Sequence, residues 1–340
     1  MKHRIEGIDY LRVIMSIFVV VWHMGGGGQS LVFSKDEYLK HVFTASDFVN
    51  FHLLLLAVPT FIFVSIYLYA SKPVSIIRLK KQLGRVFILL SFWPIALTLY
   101  NNSYQGLLSI IPNSPAEFVY TVLRAGNTVY YFFTSLIICL LAVHFFLQLD
   151  RKFQLPIFLV SIVLLAVLPQ LTMTTGFYPL SAYWSPLNFI PLSFSAALFA
   201  QNQNNILKYR RIALLLSVVL CALFSVFEWK YSVGQIFFPG QGYAIPAYTR
   251  TSLVFAVITI FILALDPRIR ANRAIKYMAK YSLALYCLHP FLISPVNKYV
   301  AIFVQDETVA LYVSIMLVVV FSYSIGTLLR KYYLREEVIV

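Results

Sequence analysis

The chain has 340 residues, of which 60% are hydrophobic and only 12% charged, and its mean hydropathy is +0.78. Soluble domains carry roughly 25% charged residues, so a soluble enzyme, a disordered chain and a secreted disulfide scaffold are excluded. What fits is a polytopic membrane protein, on which a formal charge of +14 reads as topology before it reads as nucleic-acid binding.

Apolar runs long enough to cross about 30 Å of hydrocarbon occur ten times. In chain order they cover 8–24, 48–70, 86–100, 129–149, 155–171, 183–200, 212–229, 248–265, 278–296 and 308–329. The first runs on into His23 and four glycines with no small-residue cleavage site behind it, so it reads as a retained span and not as a signal peptide. Ten spans put both termini on one side. Twenty of the 27 basic residues fall in the connections on that side, against five opposite, with only Arg12 and Arg250 inside spans. The positive-inside rule makes that side cytoplasmic. The longest connections, 25–47 and 101–128, lie on the other side, and none holds a soluble domain. The expected fold is therefore all-α: a polytopic integral membrane bundle of about ten transmembrane helices. It forms one domain over 1–340 in the cell (cytoplasmic or inner) membrane, with both termini cytoplasmic. No internal repeat is visible, which disfavours transporters built from inverted repeats. Cys139, Cys221 and Cys287 lie in apolar runs and read as small buried hydrophobes. No two histidines have metal-ligand spacing on one helix, so no metal is expected.

The first run carries the most informative residues. Arg12 lies about one turn inside it, where an arginine costs about 3 kcal/mol on insertion scales, and His23 closes it at the outer end. Eleven residues at 100° each leave a remainder of about 20°, so both side chains share a face, roughly 16 Å apart along the axis. Asp9 and Ser16 fall on the same stripe. Intramembrane ionisable groups on one seam face a protein interior or a water-filled cavity. Taken singly, Arg12 reads as a snorkelling residue and His23 as an interfacial one; the shared face argues for function. Gly25, Gly26, Gly27 and Gly28, next in the chain, let backbone approach a ligand closely or let a loop close.

These residues resemble a family. Ile8-Asp9-Tyr10-Leu11-Arg12, ten residues and then His23 are similar to the Arg-x10-His signature of the membrane acyltransferase family 3. Pro59-Thr60-Phe61-Ile62-Phe63-Val64-Ser65 resembles its Pro-x-Phe-Phe-x-x-Ser-Gly, with Ile66 in place of the glycine. The basic run ending in Arg85 and leading to Pro94 resembles its Arg-x-x-Arg, with Gln82 at the first arginine and Lys80 and Lys81 just before it. Asn188 to Phe194 resembles its sixth helix, with Ser195 replacing a frequent glycine. Ser282-x-x-x-Tyr286-x-x-His289 is similar to its C-terminal Ser-x-x-x-Tyr-x-x-His. The Trp-Ser-Leu-x-x-x-Glu pattern of larger members is absent around Tyr130 and Tyr131.

The resemblance implies transfer of an acyl group, most often acetyl, from cytoplasmic acyl-CoA to a hydroxyl of a sugar or glycan at the extracytoplasmic side. His23 would be general base or transient acyl carrier. Arg12 would orient a donor phosphate or carbonyl, or pair with Asp9. Arg78, Lys80, Lys81 and Arg85 would form a cationic loop for CoA phosphates, with Arg85 at the family position. Tyr286 and His289 would line the same cavity, with a satisfied packing role as the alternative for His289. Arg250, near the outer end of the eighth run, would bind the acceptor or an oxyanion or reach the outer headgroups. Tyr243, Tyr248 and Trp229 are candidates for stacking on sugar rings. His52 and His144 read as core residues, His3 and His41 as solvated ones. Expected partners are acyl-CoA, a carbohydrate or glycan acceptor and membrane lipids, with a second copy of the chain or glycan-processing proteins as further candidates. The rival expectation is an exporter or flippase for a glycan or lipid-linked intermediate.

Overall fold

The computed structural model describes residues 5–28, 44–108, 111–232 and 246–332. Tyr243, His3 and His41 lie outside these described residues. All regular structure among them is helical. Helices α1 (Glu6–His23), α2 (Ala57–Ala70), α3 (Ile76–Leu108), α4 (Pro115–Leu123) and α5 (Tyr131–Phe146) are followed by α6 (Arg151–Thr175), α7 (Ile190–Gln201) and α8 (Gln203–Lys208). Then come α9 (Arg210–Ser232), α10 (Thr251–Ala264), α11 (Arg273–Lys280), α12 (Ser282–Phe303) and α13 (Glu307–Tyr332). Among the described residues five helices are long and apolar enough to cross a membrane: Ala45–Ala70, which runs into α2, and Ile76–Asn101, Arg151–Thr175, Arg210–Lys230 and Glu307–Lys331. Tyr131–Phe146 and Thr251–Ala264 are apolar but shorter.

Every expected run contains helix, and the departures have local causes. The sixth becomes α-helical only at Ile190, after a 3-10 turn over Pro186–Phe189, because Pro186 and Pro191 lack the N–H groups that a continuous α-helix would need. The ninth is split at Tyr281 between α11 and α12. The second opens through π-helical Phe48–Leu53 and a 3-10 turn, Leu54–Leu56. The basic stretch 78–85 is corrected: it is not a loop. Helix α3 starts at Ile76, ten residues before the apolar run, because no proline lies between 76 and 85 and Arg78 ties its first turn to the end of α2.

Helix α1 lies at the centre of the bundle and touches α2, α10, α11, α12 and α13. Two devices seat its N-terminal end. Glu6 accepts from the Ala271 amide at 2.6 Å and from Lys276 Nζ at 2.9 Å. The Lys276 hydrogen bond, then the Ala271 amide, hold the Glu6 carboxyl below the usual carboxylate range. Gly7 lets α1 touch the backbone of α10: a Cβ there would lie 2.0 Å from the Ala264 carbonyl oxygen. Gly7→Ala is therefore expected to force the two helices apart and cost about 1–3 kcal/mol, read as a lowered thermal midpoint of the detergent-solubilised chain. The control is Gly84→Ala on α3, where a Cβ meets nothing within 4 Å; it is expected to leave the midpoint unchanged or raise it.

Candidate active site

His23 is the last residue of α1, and the glycines after it explain why the helix stops there. Gly25 adopts φ +75°, and the Gly26 amide reaches back to the Val21 carbonyl at 2.8 Å, the signature of a Schellman ending. The turn is fixed, not free. Asn50 Nδ2 donates to the carbonyls of Gly27 and Gly28 at 3.2 and 3.1 Å, and a Cβ on Gly27 would fall 2.0 Å from Asn50 Oδ1. The glycines thus serve packing and helix termination.

His23 opens on a cavity of about 320 Å³ and keeps an exposed side chain there. Trp22, Tyr131, Tyr183, Tyr248 and Tyr286 line the same space. Behind His23 stands His289, wholly buried, with the two ring centroids 5.1 Å apart. His289 lies seven residues into α12, roughly 10 Å along that helix. His23 therefore sits beside the second turn of α12 and not at the rim of the bundle. Two phenols are already committed: Tyr286 donates to Val129 O and Tyr130 to Cys287 O, each at 2.6 Å.

The cavity wall is held by a polar frame. Thr249 donates to Asn188 Oδ1 at 2.7 Å or to Ser181 O at 3.0 Å, and Asn188 Nδ2 donates to Ala182 O at 2.7 Å. These bonds tie the segments that carry Tyr183 and Tyr248. Next to them Arg250, 1% exposed, is an N-cap residue of α10. Its Nε pairs with Glu228 Oε2 at 3.0 Å and its Nη1 donates to Phe51 O at 2.6 Å. Its Nη2 lies 3.2 Å from the His52 ring nitrogens. Glu228 also accepts from the Ser252 amide at 2.8 Å, and the Trp229 indole donates to His52 at 2.6 Å. Arg250 is thus the hub of a buried network and does not line the cavity; Trp229 belongs to the same network, and Tyr248 is on the cavity wall. His144 is a core residue, its Nδ1 2.9 Å from Tyr69 OH.

The opposite end of α1 forms a second, larger space of about 960 Å³. Asp9 and Arg12 line it together with Glu6, Lys72, Asp266 and Arg270. Two of the three carboxylates are strongly engaged by cations: Glu6 by Lys276, and Asp266 by Arg210 at 2.8 Å and Arg268 at 2.9 Å. Arg268 and Arg210 hold the Asp266 carboxyl far below the ordinary range. The wall carries three carboxylates and three cations, and the cations that engage Glu6 and Asp266 from outside it, Lys276, Arg210 and Arg268, bring the surroundings to a cationic excess.

The expected donor cluster divides. Arg78 is spent on the end of α2, donating to Leu68 O at 3.1 Å and Pro73 O at 3.2 Å, with its guanidinium 4.7 Å from the centre of the Tyr69 ring. Helix ends leave such carbonyls without intrahelical donors, and an arginine there satisfies them. Lys80, Lys81 and Arg85 are exposed on α3 and line neither cavity. Ser16 is also off both cavities, donating to Val13 O at 2.8 Å and facing Tyr323 of α13 at 3.4 Å. Of the seam on α1, the structure brings Asp9 and Arg12 to one cavity and His23 to the other.

The model of the acyltransferase 3 family, an acyltransferase domain, matches residues 5–328. The chain belongs to the acyltransferase 3 family. The matched region takes in both cavities, the His23–His289 pair and all thirteen helices up to the last turn of α13. The chain is therefore a membrane acyltransferase in general character, and the family relation calls for an acyl donor. No curated protein matches the chain, and no solved structure does. Among the described residues no group of three or more His, Cys, Asp or Glu side chains is placed to hold a metal ion. Sequence reading had passed over Lys72, Arg270 and Glu228. The first two looked like ordinary topogenic charge, and the third gave a signal only as a carboxylate near the end of an apolar run, with Arg250 opening the next.

Proposed function

We propose that this acyltransferase moves an acyl group, acetyl in the simplest case, from a CoA thioester to a hydroxyl of a sugar or glycan. The observation that carries the reading is the accessible His23 imidazole on a tyrosine-lined cavity, at the far end of the helix whose other end carries Arg12 into a cationic cavity. His23 removes the proton of the acceptor hydroxyl as that oxygen attacks the thioester carbonyl. The carbon–sulfur bond breaks, and the proton passes to the departing thiolate. The tyrosines and Trp22 offer flat faces and phenol groups to a pyranose. The donor phosphates lie against Arg12, Lys72 and Arg270, a revision of the reading that gave them to 78–85. The charge bias of the connections supports about ten spans with both termini cytoplasmic, which puts the donor cavity inside and the acceptor at the outer face of a cell membrane.

The test is donor kinetics with acetyl-CoA on the purified full-length chain in lipid nanodiscs, followed as release of free thiol. Lys72→Ala and Arg270→Ala are each expected to raise the KM for acetyl-CoA about tenfold, the worth of one charge-assisted hydrogen bond, with kcat little changed. A larger rise for Arg85→Ala than for either would move the phosphates to α3.

A further inference from the structure

The sequence His289-Pro290 sets up a feature that base catalysis by His23 alone does not require. In a helix the amide of residue 290 would donate to the carbonyl of residue 286, but a proline has no such hydrogen. Pro290 therefore leaves the Tyr286 carbonyl open within α12, and His289 fills the vacancy, its Nδ1 lying 2.7 Å from Tyr286 O. A carbonyl only accepts, so Nδ1 carries the proton. In the neutral ring Nε2 is then a lone-pair acceptor. That atom is buried and has no hydrogen-bond partner among the described residues. Two rings neighbour that of His289: His23, 5.1 Å away between centroids and inclined by 35°, and Tyr286, 6.0 Å away. A buried acceptor left without a donor is costly, so its presence beside His23, the exposed imidazole among the described residues, points to a use.

We propose that His289 is the positioning partner of His23, accepting an N–H bond from the His23 ring at its Nε2 once His23 has taken the acceptor's proton. The inference rests on the acyl-transfer reading above. The bond is absent in the resting chain, and the N–H of an imidazolium is a stronger donor than that of a neutral ring, so the bond stabilises the charged intermediate state more than the ground state. The logic is that of an imidazole oriented by a second group behind it, with the tautomer of the second group fixed by a proline-vacated carbonyl. No proton leaves His23 in this step; it returns to the thiolate as before.

The experiment measures kcat and KM for thiol release from acetyl-CoA, with octyl glucoside as hydroxyl probe, in full-length chains in nanodiscs. His289→Leu removes the acceptor. His289→Gln keeps a carbonyl oxygen near the Nε2 position. Pro290→Ala returns a competing donor to Tyr286 O. The expected result is a loss of kcat of about 100-fold in His289→Leu, a loss of less than about tenfold in His289→Gln, an intermediate loss in Pro290→Ala, and a KM unchanged throughout. A merely packing histidine would lose kcat equally with leucine and glutamine, or in proportion to the fall in thermal midpoint, and either outcome overturns the proposal. Wild-type kcat in His289→Leu while His23→Ala is inactive overturns it and leaves the acyl-transfer reading standing. Absence of any transfer by the wild-type chain removes both.

Discussion

His23→Ala is expected to lower acyl transfer by about 10²–10⁴-fold, the range over which a positioned general base acts. The size follows from what surrounds the imidazole. Among the described residues that line the cavity His23 is the only imidazole, and no carboxylate or lysine stands beside it; the Tyr286 phenol donates to Val129 O. His289 stands behind His23 and is wholly buried, so it cannot reach an acceptor hydroxyl from where it is. The loss should fall on kcat, because the hydroxyl and the thioester are held by other groups, and KM for acetyl-CoA should change little. Folding should be spared. His23 has an exposed side chain at the end of its helix, and the helix ending is made by backbone bonds at Gly25 and Gly26 that alanine does not disturb. Full activity in a well-folded His23→Ala chain would take the histidine off the reaction path.

The second large effect is structural. Arg250→Ala is expected to destabilise the chain by about 3–5 kcal/mol, because removing one partner strands the other charge away from water. Glu228 would lose the partner at 3.0 Å, and the Phe51 carbonyl would lose its donor inside the π-helical segment that leads into α2. The damage would spread to the cavity, since Ala247 and Tyr248 on its wall directly precede the network residues. The measurement is the thermal midpoint of detergent-solubilised single and double variants. Replacing the whole pair by apolar residues, Arg250→Met with Glu228→Leu, should recover much of the loss, because an absent pair strands no charge. If Arg250→Ala leaves the midpoint unchanged, the network is not what holds this wall.

Much of this was legible in the chain itself, where periodicity was at stake. The Arg12–His23 spacing put both residues on one face of α1, and the structure seats them at its two cavities. Ten apolar runs marked where helices form, since lipid-facing and buried positions are alike apolar. What could not be read was pairing across the fold. Arg78 looked like a free cation because its acceptors, the carbonyls of Leu68 and Tyr69, are backbone atoms at the end of another helix. Arg250 looked like a cation for the acceptor, an oxyanion or the outer headgroups for the same reason, as its partner Glu228 lies on α9 and meets it only because α9 packs along α10. Lys72 and Arg270, by contrast, looked like ordinary basic connections, and only the folded chain brings them to the space where Arg12 points. Composition tells which residues are out of place in lipid. Tertiary packing decides which of them are already satisfied and which are offered to a ligand.

The central claim is that α1 joins a donor cavity at Arg12 to a reacting cavity at His23. A structure of the full-length chain with a non-hydrolysable acetyl-CoA analogue tests it most directly. The account predicts phosphate density against Arg12, Lys72 and Arg270, with the acyl carbonyl within hydrogen-bond reach of the space that His23 faces. Phosphate density on Lys80, Lys81 and Arg85, with both cavities empty of the analogue, would contradict it.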